Sequence, residues 1–178
     1  MGEHLSFIDF IRLANRDIHH YQRESYHLPD EEAYITCSYL LQQVTEKLLK
    51  SMILISGEYP AFTHDIAKLR MHCDKLNLNV PESITLIEDS LTNWEVSTRY
   101  DTGFEVDVKK FTRACIGINE LIDYFNINIT VLLPDENRIY VERINIPSST
   151  QSECGNGIIN ENIPENAIPG EIDNYSID

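Results

Sequence analysis

Apolar residues recur every three or four positions along most of the first 125 residues, which is the spacing of helices that bury one face. The pattern predicts five helices: one over 6–26, a long central one over 30–57, a third capped by Thr63, a fourth from Pro81 to Arg99, and a fifth over 107–125. Strand patterns are nearly absent here, so the apolar stripes must pack against one another. The sequence therefore predicts an all-α fold, a helical bundle.

The rest of the chain follows a different pattern. Runs rich in β-branched residues at 127–133 and 138–144 flank a turn-forming segment, which predicts a small β-hairpin. From 144 to 178 there is no Lys, Arg or His, six residues are acidic, and Ser, Asn, Gly and Pro are frequent, which is typical of a flexible acidic tail. We therefore divide the chain into a bundle (1–126), a hairpin or extension (127–143) and a tail (144–178).

Net charge limits the partners. With 29 acidic and 14 basic residues the formal charge is -15, so the chain as a whole repels polyanions. We expect no extended DNA binding and no association with anionic membranes. No apolar run approaches the roughly 20 residues that a membrane helix needs, and the first residues lack a signal-peptide pattern.

The common catalytic and metal-binding motifs are missing from the sequence. The four cysteines are widely spread, which fits free thiols in a reducing compartment and predicts a cytoplasmic location. There is no phosphate-binding glycine loop, and no spacing that favours a metal site or a covalent nucleophile. We expect no cofactor.

The central helix carries a polar strip beside its apolar face. Gln43, Glu46, Lys47 and Lys50 lie three or four residues apart and so share one side. The Glu46–Lys50 spacing favours an ordinary ion pair on an exposed helix. Alternatively, Lys47 and Lys50 offer paired cations to a phosphate.

Two further polar groups stand at helix ends. His64 follows Thr63 at the start of the third helix, and Arg99 and Tyr100 end the fourth. A structural role suffices for each, because a lone histidine is often simply hydrogen-bonded and a cation stabilises a helix C-terminus.

Taken together and in order, these segments resemble the HEPN family, the nucleotide-associated helical domains of higher eukaryotes and prokaryotes. YLLQQVTEKLLKSMIL resembles the QQ-x-x-EK-x-LKA type motif of its long helix, FTHDIAKL the THDL-x-x-L motif, and STRYD the SRYP motif, with Asp101 in place of the proline. The resemblance covers residues 6 to 126. It implies an up-and-down bundle of four to five helices, often a homodimer, with the polar strip near a cleft.

The resemblance also implies one of two activities. Some members bind nucleotides or accompany a minimal nucleotidyltransferase, whereas others are metal-independent ribonucleases with an R-x4-6-H motif on a late helix. No histidine follows Arg99 or Arg113 at that spacing. Arg12 and His19 fit a similar spacing, but on the first helix, within a basic face that also holds Arg16 and Arg23.

Our leading hypothesis from sequence is a non-catalytic domain that binds a nucleotide or a nucleotidyltransferase partner. Its predicted ligand-binding residues are Gln43, Lys47, Lys50, His64, Arg99 and Tyr100. The alternatives are a ribonuclease that uses Arg12 and His19, and a protein-interaction module that acts through the bundle surface or the tail.

Overall fold

The described part of the chain is a bundle of helices. The computed structural model describes residues 5–101, 103–132 and 139–146, and for 127–132 the backbone alone. The helices are α1 (Phe7–Glu24), α2 (Glu31–Ile55), α3 (Ile66–Lys75), α4 (Glu82–Thr85), α5 (Glu88–Tyr100) and α6 (Val108–Leu132), with a 3-10 turn at Ser25–His27. The all-α prediction is confirmed, and α2 is central because it packs against α1, α3, α5 and α6.

The predicted apolar stripes form one continuous core. Its largest fully buried side chains include Tyr21, Leu41, Leu48, Leu49, Ile66, Phe111 and Phe125. The buried face of α2 extends over most of its 25 residues, which identifies α2 as the helix around which the others assemble.

The first helix begins as its sequence indicates. Ser6 is the N-cap, its hydroxyl accepts a hydrogen bond from the backbone N–H of Asp9, and the Asp9 carboxylate accepts from the backbone of Ser6. This capping box satisfies two helix-end N–H groups at once.

The predicted cap of the third helix is wrong by two residues. Asp65, and not Thr63, is the N-cap of α3, because its carboxylate reaches the backbone N–H of Lys68 at 3.0 Å. Thr63 instead accepts a hydrogen bond from the N–H of Asp65. The next N–H, of Ile66, donates to the hydroxyl of Thr92 on α5, which fixes where α3 begins.

The predicted fourth helix is two helices. The chain leaves helical geometry at Ile87 (φ -126°, ψ 7°), between α4 and α5. The apolar side chains of both helices and of the break are buried: Ile84, Ile87, Leu91 and Trp94. The break allows α4 to pack on α6 while α5 packs on α2.

The predicted hairpin is also wrong. Residues 127–132, expected as its first strand, continue α6. The buried helix that precedes them extends cooperatively, and β-branched composition is too weak a preference to end it. Residues 139–144 form no strand, and 133–138 lie outside the described residues. Of the predicted tail, Ile144 is buried on the bundle, and 147–178 lie outside the described residues.

The α4–α6 contact requires a residue without a side chain at 117. A Cβ on Gly117 would lie 2.8 Å from Oγ of Ser83 and 2.9 Å from Cδ1 of Ile84. We expect Gly117→Ala to lower the free energy of unfolding by about 1 kcal/mol. The steric clash destabilises the folded protein by about 1–3 kcal/mol, whereas the higher helix propensity of alanine stabilises it by about 1 kcal/mol. Urea unfolding measures this.

The matched control is Gly103→Ala, where the nearest atom to the added Cβ is 3.7 Å away. We expect this variant to stay within about 0.5 kcal/mol of the parent protein. Equal stability of the two variants would contradict the packing role of Gly117.

Candidate functional site

Lys47 joins α1 to α2. Its Nζ donates to Oδ2 of Asp17 at 2.5 Å, to Oε1 of Gln43 at 2.8 Å and to the backbone oxygen of Gln43 at 3.4 Å. The side chains of Lys47 and Asp17 are each only 12% exposed. An ammonium has three hydrogens, so the donors of Lys47 are all used within the bundle.

Glu46 is the acceptor on which three groups converge. Nζ of Lys50 lies 2.7 Å from its Oε1, while Nδ1 of His64 and Nε2 of Gln42 lie 3.0 and 3.2 Å from its Oε2. Burial acts to raise the pKa of Glu46, but the donors of Lys50 and His64 prevail and hold it below its ordinary value of 4.5. Because the carboxylate is ionised at neutral pH, Nδ1 of His64 carries the hydrogen.

Gln42 and Gln43 link the hydrogen bonds of Lys47 to those of Glu46. Nε2 of Gln43 donates to Oε1 of Gln42 at 2.7 Å, and Nε2 of Gln42 also reaches the backbone oxygen of His64 at 3.3 Å. The result is one chain of hydrogen bonds, which we call the α2 network: Asp17, Gln42, Gln43, Glu46, Lys47, Lys50 and His64. It fastens α1 and the α2–α3 loop to the central helix.

The α2 network thus contains four of the six predicted ligand-binding residues: Gln43, Lys47, Lys50 and His64. Most of the network is buried, whereas the sequence predicted an exposed polar strip. The Glu46–Lys50 pair, expected on an exposed surface, is buried, with side chains 6% and 10% exposed. His64 is the open member, since its side chain is 58% exposed.

Among the described residues, Arg99 and Tyr100 make no hydrogen bond with the α2 network. The Nη2 atom of Arg99 lies 2.6 Å from Glu95 and 3.2 Å from the hydroxyl of Tyr39, and its guanidinium stacks 4.9 Å from the centre of that ring. Tyr39 precedes Gln43 by four residues, so it lies on the same face of α2 about 6 Å along the axis from that member of the network. Tyr100 is 77% exposed.

A pocket that the sequence analysis missed adjoins Lys50. It has a volume of about 360 Å³ and is lined by Leu5, Phe10, Lys50, Leu54, Tyr59, Pro60, Ala61 and Phe62. The Lys50 ammonium stands 6.0 Å from the centre of the Phe10 ring. We name it the aromatic pocket. The aromatic composition of the loop at 58–62 was its one sequence signal, but nothing in the sequence placed that loop beside α1.

The alternative ribonuclease pair lies on the exposed face of α1. Arg12 is 3.8 Å from Asp9, and Nε2 of His19 is 3.2 Å from Glu142. The two residues are seven positions apart, or about 10 Å along the helix. Both line a broad surface hollow that contains no residue of the α2 network.

Within the described residues, no group of three or more His, Cys, Asp or Glu side chains is placed to hold a metal ion. The helices of this part of the chain include none with the length and apolarity to cross a membrane.

Comparison with known proteins identifies the family. The model of the HEPN domain matches residues 9–127, which is well over half of the chain, and the chain belongs to the HEPN family. The resemblance seen in the sequence motifs is thereby confirmed. No curated protein and no solved structure matches the chain.

Lys47 has a structural role that a matched substitution can measure. We expect Lys47→Ala to lower the free energy of unfolding by about 3 kcal/mol, because it removes the ammonium that is hydrogen-bonded to the buried Asp17 carboxylate. Arg16, at 3.9 Å, is too far away to replace that hydrogen bond. Chemical denaturation measures the difference. Lys68→Ala removes the same charge from a side chain that is 70% exposed and should change stability by less than about 0.5 kcal/mol. Similar values for both variants would refute the role of Lys47.

The lowered pKa of Glu46 makes stability depend on pH. A carboxyl with a lower pKa in the folded protein contributes stability above its unfolded pKa and loses it as the pH falls. We expect Glu46→Gln to be less stable than the parent at pH 7, and the gap to narrow as the pH falls below about 4.5.

Thermal unfolding from pH 7 to about pH 3 measures that gap. Asp9 and Asp65, whose pKa values are also lowered, are present in both proteins, so their contributions cancel in the difference. A gap that stays constant over this range would rule out an ionised, hydrogen-bonded Glu46.

Proposed function

We propose that this chain is a non-catalytic HEPN domain that binds a nucleotide in the aromatic pocket. The observation that carries the proposal is the meeting of aromatic side chains with a single ammonium in one concave site. The volume of about 360 Å³ falls in the range of roughly 300–1,000 Å³ that is usual for ligand sites, and such sites combine apolar walls with a few polar groups.

In this proposal the phosphate is bound by Lys50. Within the described part of the chain the hydrogen-bond acceptor of Lys50 is Glu46, so two ammonium hydrogens are left for ligand oxygens. His64 contacts the same carboxylate, and its ring is exposed. In this proposal it donates a second hydrogen bond to the phosphate. Lys47 and Gln43 then have a positioning role, since their polar atoms hold the bundle together.

The base is bound by the aromatic walls of the pocket. Phe62 is fully exposed and Tyr59 is 69% exposed, so both rings present faces to a ligand. Stacking of a base on an aromatic side chain is worth about 1–3 kcal/mol. A ligand with a planar base and an anionic phosphate therefore matches both the aromatic walls of the pocket and the ammonium of Lys50.

Arg99 and Tyr100 are assigned to a partner surface. They end α5 outside the aromatic pocket, where the exposed ring of Tyr100 is next to a guanidinium. The partner is a second copy of the chain, giving a homodimer, or a minimal nucleotidyltransferase. We place the protein in the cytoplasm, in keeping with the free, buried thiols of Cys37, Cys73 and Cys115.

Calorimetric titration of the purified protein with ATP, GTP and their diphosphates tests the proposal. We expect binding that Lys50→Met weakens about 10- to 100-fold, as for loss of a charge-assisted hydrogen bond. Phe62→Ala should weaken it about tenfold through lost stacking. Phe62 is fully exposed, so this variant tests the pocket without endangering the fold.

The matched control is Tyr140→Ala, which removes an aromatic side chain that is 62% exposed and remote in sequence from the pocket. It should bind as the parent does. No binding of any nucleotide, or equal affinity of all four proteins, would refute the assignment.

The ribonuclease alternative makes an opposite prediction. Cleavage of labelled RNA that His19→Ala abolishes would replace our proposal. Absence of nucleotide binding together with capture of a protein partner would favour the interaction module.

A further inference from the structure

Four basic residues form one line along the exposed side of α1. Arg12, Arg16, His19 and Arg23 follow one another at intervals of four, three and four residues, which places them on one face. We call them the α1 stripe. With Gln22 and Tyr26 they line a broad surface hollow of about 640 Å³. The stripe is a concentrated positive surface on a chain whose net charge is -15.

The arginines of the α1 stripe are poorly neutralised by the described residues. Arg12 and Arg16 stand 3.8 and 3.9 Å from Asp9 and Asp17, distances too long for hydrogen bonds. The Asp17 carboxylate is already bound by Lys47. Arg23 has no ion pair with any side chain that the structure describes. Three guanidinium groups therefore keep donors for another anion.

The segment 139–146, which we call the strap, runs along α1 toward one end of the stripe. Asn15 donates to the backbone oxygen of Tyr140 at 2.8 Å and accepts from the N–H of Glu142 at 3.0 Å, and Gln22 donates to the oxygen of Arg143 at 3.1 Å. The strap thus advances from Asn15 to Gln22. Gln22 directly precedes Arg23, the last arginine of the stripe.

The strap is anchored on its other side by α6. The N–H of Ile144 donates to Oδ1 of Asn119 at 2.9 Å, and Nδ2 of Asn119 donates to the oxygen of Ile144 at 3.0 Å. The buried side chain of Ile144 adds an apolar contact. The point from which the following segment departs is therefore fixed relative to the stripe.

We propose that the acidic segment 147–178 of this chain docks on the α1 stripe. Six of its residues are acidic and none is Lys, Arg or His, so its charge complements that of the stripe. A chain of 32 residues reaches about 30 Å even without regular structure, and the stripe is about 16 Å long. Attachment through the strap makes the contact intramolecular, with an effective concentration of about millimolar order.

A free polyanion is a poorer occupant of the same surface. It has to approach a molecule of net charge -15, which repels it over a Debye length of about 8 Å. The acidic segment is covalently attached to the strap, which contacts α1, so its contact with the stripe needs no second molecule. RNA is therefore a competitor that the experiment has to test.

Paramagnetic relaxation in the full chain tests the docking. A spin label on Cys154 reports on the acidic segment, because Cys37, Cys73 and Cys115 are buried and burial raises the pKa of Cys37 and Cys73 to about 12. We expect broadening of the backbone amide signals of the α1 stripe at low salt. It should disappear at high salt, where charges are screened.

Matched charge removal makes the test specific. Arg16→Gln/Arg23→Gln should lose most of the broadening, whereas Lys68→Gln/Lys75→Gln, which removes two exposed charges from α3, should keep it. These substitutions are all at exposed positions, so folding is not at risk.

Three results would overturn the proposal. One is broadening that is absent from the stripe or equal in both double variants. Another is broadening of an isotope-labelled chain by a second, spin-labelled chain, which would place the segment on another copy. The third is an RNA oligonucleotide that shifts the stripe signals while an added peptide of residues 147–178 does not displace it.

Discussion

The arrangement of the helices depends on the buried carboxylate of Glu46, which needs hydrogen-bond donors around it. Glu46 is ionised inside the bundle, which is costly unless donors surround it. Its donors come from α2 itself and from His64 in the following loop. The α2 network continues through two glutamines and Lys47 to Asp17 on α1. Neutralising two carboxylates, Glu46 and Asp17, therefore sets how α1, α2 and the α2–α3 loop approach one another.

Within the α2 network, Lys47 and Lys50 have different roles. Lys47 has every donor engaged, so it acts as a structural cation between two helices. Lys50 is held by one carboxylate oxygen at the edge of the aromatic pocket. The residues that give the family its sequence motif thus serve the fold first, and the ligand proposal depends on the one ammonium that the fold leaves partly available.

Periodicity predicted helices over most of the first 125 residues, because burial of one helix face leaves a direct trace in the sequence. It failed where tertiary contacts decided the outcome. The continuation of α6 through 127–132 and the break at Ile87 depend on what packs nearby. The site was predicted in part: motif spacing grouped Gln43, Lys47 and Lys50, but the pocket joins Phe10 to Phe62, which are far apart along the chain.

The most direct test of the division between the lysines is to observe their ammonium groups by NMR while ADP is added. Our account predicts that the Nζ signal of Lys50 shifts in proportion to binding, while that of Lys47, whose hydrogens stay bound to Asp17 and Gln43, does not move. A shift of Lys47 with Lys50 unchanged would contradict the account.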